Sequence, residues 1–279
     1  MPKQNKKKDK KENREERGSG SRASSLEVIP VRPVEMNDRN DYHENLPKIH
    51  RNNGSITLLV GSTASGKTTV INWLLLHSNA WGGKNPAFEN VYIFSPSVNC
   101  DDSCRFLREN FECYTEYRDS YLKQILETQN SYEKKDRPKC MIVIDDSVGM
   151  IGRSSTLNHF LSRYRHWNCN VIMSVQSFRA LSPIARANTT DVLLFNGIFN
   201  DKEMEKIEEE YDSMYKGSLK KCYKKFANKP YTFLYLKTRK NPPQMFQNFT
   251  TEIDWKKYGR NLDDDDEELS EKEEGDNDF

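Results

Sequence analysis

Eight consecutive residues carry the clearest chemistry in this 279-residue chain: Gly61, Ser62, Thr63, Ala64, Ser65, Gly66, Lys67 and Thr68 match the pattern G-x4-G-K-[ST]. The glycines let the backbone curl so that successive N–H groups point at phosphate oxygens. The lysine supplies a point charge for the β- and γ-phosphates, and Thr68 offers a hydroxyl to Mg2+. A helix expected from about Lys67 through Thr69 and beyond adds the positive end of its dipole. A second motif lies downstream, where Met141-Ile142-Val143-Ile144 runs into Asp145-Asp146. A buried strand ending in carboxylates places them outside the C-terminal edge of a sheet, beside bound phosphates. In that position Asp145 supports the Mg2+ shell and Asp146 polarises the attacking water. A third polar residue, Gln176, directly follows the apolar run Val171–Ser174 and Val175, where it could sense a terminal phosphate.

These residues need a scaffold, and the rest of the sequence describes one. Short apolar runs at 56–60, 91–94, 141–144, 171–174 and 192–195 alternate with helical patterns at 119–131, 154–165 and 201–229, and 231–236 reads as a last strand. Continuous apolar strands of this kind are buried on both faces, so the expected fold is α/β with a mainly parallel central sheet covered by helices. In the helix after the phosphate loop, Val70, Ile71, Leu74 and Leu75 form the inner face.

Loop, acid pair and polar sensor together separate the subclasses of such folds. A GTPase would read its base with N-K-x-D. The nearest match, Asn188-Thr189-Thr190-Asp191, has threonine for lysine and precedes a strand instead of following one. A nucleotide kinase would show an Arg-rich lid and no acid pair on the third strand. The combination present fits the additional-strand ATPases, which insert one strand between the loop strand and the acid strand.

Composition bounds the remainder. Hydrophobic residues make up 35% and charged residues 30%, too polar for every segment to pack. Residues 1–25 are expected to be a disordered basic tail, 26–53 an extended lead-in, 54–258 the ATPase domain and 259–279 a disordered acidic tail. The formal net charge is +1, yet residues 1–17 carry +4 and residues 263–279 carry −10, which leaves +7 on the body. A basic body suits a polyanionic partner. No run of eighteen apolar residues exists, so no membrane span is expected, and the lysine-rich N-terminus lacks the apolar core of a secretory signal. The six scattered cysteines agree with a reducing compartment. Cys100, Cys104 and Cys113 have no fourth metal ligand at a sensible spacing and read as ordinary thiols. Lys216, Lys220, Lys221, Lys224 and Lys225, interleaved with aromatics, read first as a solvated helix face and second as a DNA contact, and Lys237, Arg239 and Lys240 are equally open.

The ordered set of motifs resembles a known family. Leu-Pro at 46–47 followed by Gly54 to Thr69, the acid strand ending in Asp145-Asp146, the stretch from Arg165 to Gln176, and Ile184-Ala185-Arg186-Ala187-Asn188 look like the genome-packaging ATPases of large eukaryotic DNA viruses, the poxvirus-type group of the FtsK/HerA class. The resemblance covers roughly residues 46–200. It implies an additional-strand RecA-like fold, a homo-oligomeric ring, and ATP-driven movement of double-stranded DNA into a capsid, with capsid or portal proteins as partners and the host cytoplasm or nucleus as the place of work. The bacterial branch of that class carries an arginine finger near the start of the strand after the glutamine, where this chain has Asp191. Arg163, Arg165 and Arg186 are the substitutes, with Arg165 preferred because it immediately precedes the sensor strand. Two other readings remain open at this stage: another DNA-dependent ATPase, such as a helicase or mobile-element ATPase, and a nucleotide-binding scaffold without turnover.

Overall fold

A computed structural model describes residues 44–49, 54–147, 153–198 and 200–259. The expected basic tail and nearly all of the acidic tail lie outside these residues, as does most of the lead-in. Of the lead-in, Leu46 and Ile49 are fully buried against the core.

Among the described residues nine strands form one sheet: β1 (Ile56–Val60), β2 (Asn90–Phe94), β3 (Glu112–Tyr114), β4 (Cys140–Asp145), β5 (Cys169–Val175), β6 (Asp191–Phe195), β7 (Phe233–Lys237), β8 (Gln244–Gln247) and β9 (Thr251–Glu252). Their spatial order is β3-β2-β4-β5-β1-β6-β7-β8-β9. The first six are parallel to one another, and β7 to β9 are added antiparallel. β5 therefore lies between the loop strand β1 and the acid strand β4, which is the additional-strand arrangement.

The α-helices among the described residues are α1 (Lys67–Leu76), α2 (Arg105–Asn110), α3 (Asp119–Ser131), α4 (Ser155–Arg163), α5 (Pro183–Asn188), α6 (Asp201–Tyr215) and α7 (Leu219–Phe226). They cover both faces of the sheet, so alternate residues of each central strand enter different cores. Ile56, Leu58 and Val60 of β1, with Ile142 and Ile144 of β4, pack on the face of α3, α4, α6 and α7. Leu59, Met141 and Val143 point to the other face, where α1 contributes Ile71, Leu74 and Leu75. Full burial of each such aliphatic side chain contributes about 1.5–3 kcal/mol. Val70, expected on the inner face, is half-buried and packs at the margin of that core.

Local sequence explains where helices start and stop. Ser154 Oγ accepts from Leu157 N–H at 2.8 Å to cap α4, and Ser182 Oγ accepts from Ala185 N–H ahead of Pro183, the first residue of α5.

Three expectations need correction. The helical stretch 201–229 is two helices, because Lys216 and Gly217 both take positive φ (51° and 74°) and break the ladder. The helix expected through Arg165 ends at Arg163, and Arg165 lies in a 3-10 turn, Tyr164–Trp167. The strand at 231–236 is not the last, since β8 and β9 follow it.

Candidate active site

Strand register assembles the motifs. Val60 aligns with Val175 across β1 and β5, and Asp145 aligns with Ser174 across β4 and β5. The chain segments leaving these strands therefore emerge side by side at the C-terminal edge. Gly61 N–H donates to Val175 O at 3.1 Å, and Asp146 N–H donates to Ser174 O, also at 3.1 Å.

The loop is already closed around its lysine. Lys67 Nζ donates to the carbonyls of Gly61 (2.9 Å) and Ser62 (2.7 Å). Lys67 is buried, and burial pushes its pKa below the usual lysine value against the opposing pull of Asp146 and Asp145. Gly66 starts α1 with φ 98°, a left-handed conformation that glycine adopts without penalty. Gly61 is required by space: a Cβ there would lie 2.7 Å from Phe195 Cβ. Ser65 Oγ is buried with no hydrogen-bond partner. Thr68 is half-buried, while Thr63, Ala64 and Thr69 are exposed, so the loop is open to a ligand from outside.

The two acids have different environments, as their adjacency alone did not reveal. Asp145 is buried and accepts from Ser95 Oγ at 3.0 Å; burial raises its pKa. Asp146 is exposed and takes φ 49°, which turns its side chain out of the strand line. Its two oxygens each accept from Gln176 Nε2 at 2.8 Å. Loop lysine, acid pair and glutamine are thus one constellation. Ser95 was missed as a member. Its signal was present, because it directly follows the strand β2 that pairs with the acid strand, but the sequence reads there as a strand terminus before Pro96.

Arg165 is not in this constellation. It lies ahead of β5 at the N-terminal edge, where its Nε donates to Tyr164 Oη at 2.9 Å and its guanidinium stands 5.3 Å from the Tyr164 ring centre. There it lines a cavity of about 480 Å3 together with Lys48, Lys237, Arg239 and Lys240. Ser55 lines the same cavity with a buried, unpartnered hydroxyl. Lys237, left open by sequence as a surface cation, is buried; burial lowers its pKa to about 8 despite the charge of nearby Asp191. Asp191, also buried, accepts from Thr190 Oγ1 and Tyr235 Oη, both at 2.6 Å. Of the other finger substitutes, Arg186 is engaged by Glu210 (3.2 Å) and the Leu181 carbonyl (2.6 Å). Arg163 shares a neighbouring groove with Arg165 and Arg239.

On α7, Leu219, Cys222 and Tyr223 face the core while Lys221, Lys224 and Lys225 are exposed, and Lys225 Nζ donates to Tyr258 Oη at 3.0 Å. No helix among the described residues is long and apolar enough to cross a membrane.

Comparison with known proteins places this geometry. The genome packaging NTPase B204 from Sulfolobus turreted icosahedral virus 2, solved in complex with AMP, superposes with a TM-score of 0.52 over 70% of this chain and 96% of that one, at 16% identity. The same protein in complex with AMPPCP gives 0.52 at 17% identity, over 70% and 97%. At these identities the likeness establishes the fold: an additional-strand, RecA-like P-loop domain. By sequence, the chain is 25% identical over 154 residues to the DNA packaging protein OPG160 of Variola virus and to that of Vaccinia virus (strain Copenhagen). Each alignment takes in 52% of this chain and 54% of the relative, so the chain spans about half the length of the curated relatives it matches. The family described as Poxvirus A32 protein matches residues 48–227, from ahead of β1 to the end of α7, and this chain belongs to that family.

Proposed function

We propose that this chain is an ATP-hydrolysing motor that moves double-stranded viral DNA into a capsid, working as a ring of identical subunits. The observation that carries the reading is the single constellation of Lys67, Asp145, Asp146 and Gln176 at one sheet edge. Membership of the Poxvirus A32 protein family, relatives named DNA packaging proteins, and a fold shared with a packaging NTPase solved with nucleotides all support it. The +7 on the body favours a polyanion such as duplex DNA, bound through phosphates and weakened by salt.

The residues fit ATP and Mg2+. The unpartnered Ser65 hydroxyl, the left-handed Gly66 and the lysine at the loop's own carbonyls form a cradle that fits an anion. Residues 61–69 would wrap the phosphates, with Lys67 on the β- and γ-oxygens. Thr68 and Asp145 would hold Mg2+, which neutralises charge on those oxygens when bound. Asp146 accepts the proton of the attacking water as the water oxygen bonds to the γ-phosphorus and the bond to the ADP oxygen breaks. Gln176, already on Asp146, orients that water. Arg165 lies at the opposite sheet edge from its own loop, which suits an arginine that completes a neighbouring subunit's site. Capsid or portal proteins are the expected partners, in the host cytoplasm or nucleus.

Phosphate release with and without linear duplex DNA, on protein sized by light scattering, tests the proposal. Stimulation by DNA that disappears in Lys67→Ala is expected. Nucleotide binding without release would leave a scaffold, and strand separation on a forked duplex would favour a helicase. For the arginine, mixed rings of Arg165→Ala and Lys67→Ala subunits should differ in turnover from rings of either alone. Normal hydrolysis by Arg165→Ala would remove that role.

A further inference from the structure

Tyr231 is the most exposed large hydrophobic side chain among the described residues, at 71%. Its backbone has φ 61°, a left-handed conformation unfavourable for a bulky side chain. The turn holding it is firmly made. Thr232 N–H and Oγ1 donate to the Lys229 carbonyl at 3.2 and 2.7 Å, and Lys229 N–H donates back to Thr232 Oγ1 at 3.2 Å. Asn196 N–H, just past β6, donates to Thr232 O at 2.9 Å and ties the turn to the sheet edge that carries the site.

The ring stands beside the phosphate loop. Tyr231 Cδ1 lies 3.2 Å from where a Cβ on Gly66 would be, and Phe195 Cε1 lies 3.9 Å from the same point. An exposed aromatic face in a strained backbone gives folding little in return, and such strain persists where function uses it. A nucleotide with its phosphates in the loop must carry its sugar and base outward past the start of α1, towards solvent. A flat apolar surface at that mouth is what a base needs for stacking.

We infer that Tyr231 is the platform on which the base of the bound nucleotide stacks, a subsite that rests on the phosphate-loop reading above. A stack reads the π-face, which every base has, and no hydrogen-bond pattern. The ring itself therefore does not distinguish one base from another.

The test uses the full chain with Mg2+ and two probes, AMPPCP and inorganic tripolyphosphate, in equilibrium titrations. Tyr231→Ala removes the ring, and Tyr231→Gly removes it while relieving the positive φ, so folding is not at risk. Both variants should bind AMPPCP about 5- to 150-fold more weakly, the range for losing one base–aromatic stack. Tripolyphosphate binding should be unchanged, and Tyr231→Trp should restore nucleotide affinity with indole fluorescence quenched by AMPPCP but not by tripolyphosphate. Equal weakening of both probes would overturn the inference, since the ring would then only brace the loop. So would unchanged AMPPCP affinity. Wild-type protein that binds neither probe would instead overturn the phosphate-loop reading beneath it.

Discussion

Replacing Gly61 by alanine probes how tightly the phosphate loop is seated on the sheet. The added Cβ would lie 2.7 Å from Phe195 Cβ and 2.7 Å from Ser65 Oγ. The hydroxyl can swing aside at little cost. The Phe195 Cβ cannot, because it is fixed to the backbone of β6, which is buried and hydrogen-bonded on both sides. Ordinary contact begins at 3.4 Å, so the loop must retreat by about 0.7 Å. That retreat pulls on the Gly61 N–H bond to Val175 O and moves the carbonyl that holds Lys67. Forcing one methyl into a packed, rigid site costs about 1–3 kcal/mol. Misplacing reacting groups by close to 1 Å can cost on the order of 10²-fold in rate. The assay is steady-state ATP turnover beside denaturant unfolding, with losses of both sizes expected. Phe195→Ala in the same chain should not rescue turnover, because alanine keeps the offending Cβ. Wild-type turnover and stability in Gly61→Ala would refute the reasoning.

Gln176→Glu sets a carboxylate against both oxygens of Asp146 and should reduce ATP turnover by about 10²-fold. Both residues are exposed, so thermal unfolding should be nearly unchanged. Ser95→Ala removes the hydroxyl donor from buried Asp145 and should lower stability by about 1–3 kcal/mol in urea titrations. For Lys237 the sign follows from its lowered pKa. Between about 8 in the fold and 10.5 in the unfolded chain, the unfolded state binds the extra proton, so folding gains as pH rises through that window. The stability of wild type relative to Lys237→Met should therefore rise by about 3 kcal/mol across it, read as the difference between parallel denaturation curves so that other titrating groups cancel. A flat difference would contradict a buried Lys237.

The site was legible in sequence wherever a motif rode on a continuous apolar run. Ile56–Val60, Met141–Ile144 and Val171–Ser174 announce buried parallel strands, and the residues directly after them are those the sheet edge gathers. What sequence left unread depends on contacts between distant segments. β3 is three residues, none of them buried, whose place is set by the stack of Tyr114 between Phe94 and Tyr121, at centroid distances of 5.1 and 4.9 Å. β8 is only Met245-Phe246 between two glutamines, directly after Pro242-Pro243, so its strand character shows only once β7 is there to pair with it. Asp145 and Asp146 look equivalent on paper, and only the left-handed turn at 146 sends one inward and the other out. The gathering of Lys48, Arg165, Lys237 and Arg239 around one cavity joins segments far apart in the chain, with no local pattern to reveal it.

β5 has a mechanical consequence. Arg165 precedes this strand and Gln176 follows it; all seven strand residues are buried, with Val171–Val175 paired to β1 on one side and Cys169–Ser174 to β4 on the other. An extended strand clamped along both edges neither stretches nor buckles, so it acts as a push-rod about 23 Å long through the middle of the sheet. A shift of Gln176 along the strand axis must reappear at the Arg165 end. Whatever occupies the two edges of the sheet, the inserted strand makes them the two ends of one stiff lever.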